Sequence, residues 1–238
     1  MKKFEQELVG LRRRVAEMGS LSETMVVGAT NVIFDPHNQA LFEKLSQDES
    51  RLDLMQLEID RDATRMMTIY SPVASDLRFL LAVTRIDTEL ERIGDHVIDV
   101  CEAVQLMASK TETVPLPELR KMANLVKGMV SDSVSAFVQG DIRKAQATIA
   151  YDDMVDVVND QILGELLDDH VVREVLVSDR NIAGALAQLL IARSLERIGD
   201  QAVNIGEEVV YMVKGLDIRH RELPGQAGQS LGDLDQTD

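Results

Sequence analysis

Leu-Glu-Arg-Ile-Gly-Asp fills positions 90–95 and returns unchanged at positions 195–200, 105 residues further along the chain. Each copy sets a Glu and an Asp four residues apart, Glu91 with Asp95 and Glu196 with Asp200. On a helix that spacing stacks two carboxylates on one face, one turn apart. A matching pair lies upstream of each copy: Glu49 with Asp53, and Asp152 with Asp156. The flanking sequences, Met-Gln-Leu-Glu-Ile at 55–59 and Val-Asn-Asp-Gln-Ile at 158–162, put the two upstream pairs in register across the duplication. If each upstream helix packs beside the downstream one, each half of the chain gathers four carboxylates.

Such a gathering is unfavourable unless something compensates it. Like charges at i,i+4 cost a helix roughly 0.2–0.5 kcal/mol per pair. Unit charges about 4 Å apart repel by about 1 kcal/mol even in water. Multivalent cations remove the repulsion, and all-carboxylate ligands suit hard or borderline ions such as Mg²⁺, Mn²⁺, Fe or Zn²⁺. Clustered carboxylates also bridge two or more ions. A solvated acidic face explains any single Glu-x-x-x-Asp equally well. Four pairs at matching positions in a duplicated frame weigh against that explanation, although the residues alone leave both readings open.

The neighbouring residues frame the acidic pairs. On a helical wheel Asp87, Asp95, Asp99 and Glu102 fall within about 80° of Glu91, while Ile93, Val97, Val100 and Val104 fall opposite. Ile98 interrupts the acidic stripe, so a neighbouring helix is expected to cover part of it. The second copy repeats the plan with Glu196, Asp200, Asn204 and Glu207, and Val203 takes the place of Ile98. Arg92 and Arg197 read as internal counter-charges. Gly94 and Gly199 cost a helix about 1 kcal/mol each relative to Ala, which points to a close helix approach or to room for ions. His37, His96, His170 and His220 do not complete the Glu-x-x-His spacing of di-iron enzymes, and His96 reads as a surface residue because Gln201 holds its place in the second copy. Cys101 reads as a packing residue. The sequence holds no nucleophile elbow, phosphate-cradling Gly loop or Cys-x-x-Cys motif.

Long helical patterns must carry these pairs. Apolar residues recur at helical spacing over 3–34 (Leu8, Leu11, Val15, Met18), then to about Tyr70 (Leu45, Leu52, Ile59, Met66). Asp35-Pro36 and Ser71-Pro72 read as cap-then-proline starts of the second and third helices. Prolines in the 111–117 segment mark a linker. A fourth helix is expected over 118–139, a fifth from the Gly140-Asp141 turn to about Asp169, and a sixth from a Ser178-Asp179 cap to about Gly215. The expected fold class is all-α: two tandem, pseudo-symmetric antiparallel three-helix bundles, residues 1–110 and 118–215, with a flexible tail over 216–238.

Composition narrows the function classes. A net charge of −16 argues against a nucleic-acid binder and against adsorption to anionic lipid, and agrees with cation binding or a basic protein partner. Aromatics make up 3% of the chain, with no Trp, so the core must be aliphatic, as suits helix bundles. A single Cys and no signal peptide or 18-residue apolar span lead to the expectation of a cytoplasmic protein that meets a membrane only through partners.

The duplicated Leu-Glu-Arg-Ile-Gly-Asp helices, with Glu49/Asp53 and Asp152/Asp156 upstream, resemble the PhoU family over roughly residues 3–214. The resemblance implies multinuclear clusters of divalent or trivalent metal ions. Carried over by position, the ligands are Glu49, Asp53, Glu91 and Asp95 in the first half. They are Asp152, Asp156, Glu196 and Asp200 in the second. Asn204 stands where the first half has Asp99, so the two sites need not hold equal numbers of ions. The resemblance also implies a homodimer and a negative regulator of phosphate uptake and the phosphate-starvation regulon. Its partners would be the ATPase of the phosphate ABC transporter and a sensor histidine kinase. The rival is a carboxylate-bridged multi-metal enzyme, an oxidase or phosphatase; the missing histidine ligands argue against the oxidase.

Overall fold

A computed structural model describes residues 2–110, 114–167 and 179–219. Every regular element among them is an α-helix: α1 Lys2–Phe34, α2 Gln39–Tyr70, α3 Ala74–Lys110, α4 Pro117–Gln139, α5 Ile142–Ala150, α6 Asp152–Leu166 and α7 Asp179–Lys214. The expected all-α architecture of two repeated bundles holds. In the first half α1, α2 and α3 pack against one another, and the short turns between them make the bundle antiparallel. In the second, α4 and the α5–α6 pair pack against α7.

The apolar stripes read from the sequence are the core. Leu11, Val15, Met18 and Met25 of α1 are buried against Leu45, Leu52 and Ile59 of α2 and Ile93, Val97, Val100 and Val104 of α3. Burying each such side chain contributes about 1.5–3 kcal/mol, which offsets the weak intrinsic stability of an isolated helix. Ile98, which breaks the acidic stripe, is half-buried and packs on the core, as does Val203.

The halves join mainly through α3 and α7. Asn204 Nδ2 donates to Glu89 Oε2 at 3.2 Å, and Arg85 Nη1 pairs with Glu208 Oε2 at 3.1 Å. Glu89 lies five residues before Gly94 and Asn204 five after Gly199; Arg85 lies nine before and Glu208 nine after. The two helices therefore run antiparallel, and the pairing puts the two copies of the repeated hexapeptide side by side. Each faces its own bundle's partner helix with the acidic pairs.

Several local expectations are corrected. Asn38, not Asp35, caps α2: its Oδ1 accepts from Leu41 N–H at 3.2 Å, while Asp35 Oδ2 accepts from the Asn38 amide. Asn and Asp are equally good caps, and the nearer one wins. Ser71 ends α2 rather than starting α3; it sits at φ 45°, its N–H donating to Met67 O. The fifth expected helix is divided at Tyr151 into α5 and α6. Thr148 turns its hydroxyl back onto Lys144 O at 3.1 Å, and Tyr151 N–H is shared between Ala147 O and Thr148 O. Asp141 caps α5 as the turn reading expects, accepting from Arg143 N–H at 2.9 Å. Ile218, inside the segment read as a flexible tail, is buried. Positions 111–113 of the linker, the Ser178 cap, the end of the fifth helix at 168–169, His170, His220 and the tail from 220 lie outside the described residues. Among the described residues no helix is long and apolar enough to cross a membrane.

Candidate metal centre

The antiparallel packing of α2 on α3 brings three of the first quartet together. Glu49, Asp53 and Asp95 each offer a carboxylate oxygen, and the three lie within 4.8 Å of one another. Glu91, one turn before Asp95 on α3, is not in that group but feels its charge. Burial raises its carboxyl above the ordinary range, and Asp95, Asp53 and Glu49 push it further up against the opposing charge of Arg92. Burial also raises Asp95, with Asp53 and Asp99 adding and His96 opposing. The charges thus crowd one groove, as the i,i+4 spacing requires.

Whether these residues fit a metal is decided by their oxygens. Asp53 Oδ1 is buried and has no hydrogen-bond partner. A buried carboxylate oxygen left unpartnered is costly, and native structures leave few of them. A cation among three near oxygens satisfies Asp53 and cancels the repulsion, and hard ions take this donor set. The residues fit.

The second quartet lies on α6 and α7, near enough for its charges to act on one another, but no three of its oxygens come within 4.8 Å among the described residues. Asp200 is pushed up to about 6, first by burial and then by Asp152, Glu196 and Asp156. Glu196 is raised by burial, then by Asp156 and Asp152, against Arg193 and Arg197. Asp152 is raised by burial, then by Asp156 and Asp153. The two halves are not identical. Among the described residues, only Glu49, Asp53 and Asp95 bring three such oxygens within 4.8 Å. In the second half Asn159 Nδ2 occupies Glu196 Oε2 at 3.1 Å, and the break at Tyr151 makes Asp152 the first residue of α6.

Several residues have roles that the sequence did not signal. His96 is not a free surface residue: Nδ1 lies 3.1 Å from Asp99 Oδ2, and its charge lowers both Asp95 and Asp200. It therefore stands between the two centres. Asn204 reaches out of the second half to Glu89, whose Oε1 takes Arg92 Nη1 at 3.3 Å. Arg92 is thus a counter-charge to Glu89 as well as to Glu91. The repeated glycines differ. A Cβ on Gly94 would meet Leu52 Cδ2 at 2.9 Å, so α2 approaches α3 closely there; at Gly199 the nearest atoms are 3.8 Å away.

Two tandem helical bundles, each carrying two acidic i,i+4 pairs on neighbouring helices, define an all-α protein of duplicated architecture. The profile of the PhoU domain matches residues 15–104 and 119–209, once in each half. The chain belongs to the PhoU family. It is 33% identical over 221 residues to the Aquifex aeolicus phosphate-specific transport system accessory protein PhoU homolog, covering 93% of this chain and 97% of that one. It is 31% identical over 219 residues to phosphate-specific transport system accessory protein PhoU of Escherichia coli, covering 91% and 88%. The crystal structure of PhoU from Pseudomonas aeruginosa superposes with a TM-score of 0.81 at 30% identity, over 90% of this chain and all of that one. The phosphate transport system regulatory protein PhoU from Streptococcus pneumoniae shares the fold, with a TM-score of 0.78 at 24% identity over 90% and 99%.

Proposed function

We propose that this chain is a metal-binding regulatory adaptor that represses phosphate uptake and the phosphate-starvation regulon when phosphate is ample. It does so by linking the phosphate ABC transporter, through its ATPase, to a sensor histidine kinase. The single observation that carries the metal-binding half of the reading is the convergence of Glu49, Asp53 and Asp95 on one groove with Asp53 Oδ1 buried and unpartnered. The regulatory half rests on family membership and on relatives named as accessory proteins of a phosphate transport system.

Glu49, Asp53, Glu91 and Asp95 hold the ions of one half, and Asp152, Asp156, Glu196 and Asp200 those of the other. Bound ions supply positive charge and act as electrostatic cross-links. The chain's own contribution is to fix α2 on α3 and α6 on α7, and to couple both pairs through the α3–α7 seam. The outer helix faces then keep a constant shape for protein partners. The protein acts by binding and not by turnover, in the cytoplasm and as a homodimer, and reaches a membrane only through its partners.

The test is co-purification of the metal-replete chain with the transporter ATPase and the kinase, at high and at low phosphate. The reading expects capture that depends on phosphate and is lost on chelation. Capture of neither partner, or capture unchanged by phosphate and by chelation, would overturn it.

A further inference from the structure

A cleft of about 590 Å³ opens where the two halves of the chain meet. Leu8 and Arg12 of α1, Ser75 and Phe79 of α3, Val138 of α4 and Met212 of α7 line it. Sixteen residues of α3 separate Phe79 from Asp95, so the cleft lies about 24 Å along that helix from the acidic centre. Its volume falls in the range of small-molecule sites. Phe79 and Met212 are buried in its wall, while Val9, Val138 and Val213 line it and stay exposed.

Arg12 is the one basic residue among the described residues that line the cleft. Its guanidinium is fixed in place. Cζ stands 4.6 Å from the centre of the Phe79 ring and 5.5 Å from that of Phe137, and Nη1 donates to Phe137 O at 3.1 Å. That hydrogen bond uses one of five N–H donors. Among the described residues no carboxylate pairs with Arg12, although the chain carries 41 acidic side chains. Burial lowers its pKa below the ordinary guanidinium range, and no neighbouring charge opposes the shift. A half-buried cation without a counter-ion is costly, and an anion from outside relieves it. Glu5 and Asp76 also line the cleft and limit the charge such a ligand can carry. One carboxylate on Arg12, near the positive end of the α3 dipole at Ser75, and an apolar body against Phe79 and Met212 match what the walls offer.

We propose that this cleft binds a small organic monocarboxylate with an apolar body, its carboxylate held by Arg12. The walls come from both halves, so the bound acid bridges them. The site does not rest on the proposed metal centre or on the regulatory reading, and its test decides neither.

The test is titration calorimetry of the full chain with octanoate and with octan-1-ol, which shares the apolar body and lacks the charge. Wild type should bind octanoate about tenfold or more tightly than the alcohol. Arg12→Gln should lose that preference and keep the alcohol's affinity. Val138→Glu, which leaves the guanidinium's own contacts in place and sets a carboxylate on the cleft wall, should weaken octanoate by at least tenfold. Absence of octanoate binding, equal affinity for acid and alcohol, or an unchanged preference in Arg12→Gln would overturn the proposal. Should Arg12→Gln fail to give a cooperative thermal transition, Val138→Glu decides, and octanoate binding as tight as wild type would overturn it.

Discussion

Neutralising Asp53 should change the stability of this protein in opposite directions with and without metal. Asp53→Asn removes one of three carboxylates whose oxygens lie within 4.8 Å of one another. At that separation two unit charges repel by about 0.9 kcal/mol in bulk water and about 3.5 kcal/mol at an effective dielectric constant of 20. Asp53 has two such neighbours, so the water-like limit gives about 1.7 kcal/mol, and salt screening roughly halves it. In EDTA the variant should therefore be more stable by about 1 kcal/mol, a rise of about 2–4 °C in Tm for a chain of this size. In saturating Mn²⁺ the order should invert, because the wild type gains binding energy that the variant has lost. Differential scanning calorimetry in the two buffers reads both signs. A lower Tm for the variant in EDTA would refute the repulsion, and an equal Mn²⁺-induced rise in the two proteins would refute the role of Asp53 as a ligand.

Three further outcomes follow from particular contacts. Asp200 has a folded-state pKa of about 6, above its ordinary value near 3.8, so it opposes folding when ionised. The metal-free protein should gain stability as pH falls from 7 through 6 toward 4, and Asp200→Asn should flatten that part of a urea-midpoint profile. Glu208 is 4% exposed and pairs with both Arg85 and Arg219, so Glu208→Ala should lose about 1–3 kcal/mol in chemical denaturation. Gly199→Ala, whose Cβ meets only ordinary contacts at 3.8 Å, should gain up to about 1 kcal/mol of helix propensity; Gly94→Ala, at 2.9 Å from Leu52 Cδ2, should be less stable than Gly199→Ala by about 1 kcal/mol in the same measurement.

The repeated hexapeptide and the 3.6-residue periodicity made the long helices and the four acidic pairs legible before any coordinates, because both signals are local and each was written twice. The pairing of α2 with α3 followed from chain order and short turns. The α3–α7 register did not follow, since it depends on Glu89 meeting Asn204 and Arg85 meeting Glu208, pairs separated by more than a hundred residues. Asp87 read as part of an acidic stripe that a neighbouring helix partly covers, but which of its residues are covered depends on that neighbour, and Asp87 is fully buried. His96 failed as a surface residue for the same reason: the far half of the molecule brings Asp200 to it. The break at Tyr151 was hidden because residues 142–160 hold no Gly or Pro to mark it. Asp35 and Asn38 are equivalent caps by residue type, and only the backbone geometry selects between them.

The central claim is that folding draws two sets of carboxylates together and that captured ions neutralise them. Elemental analysis of the full chain, purified without chelator, tests it most directly when run beside Asp53→Asn/Asp95→Asn and Asp156→Asn/Asp200→Asn. The account predicts more than one tightly held metal ion per wild-type chain, with each double variant losing the ions of its own half and keeping those of the other. Wild-type protein that carries no stoichiometric metal, or variants that carry as much as wild type, would contradict it.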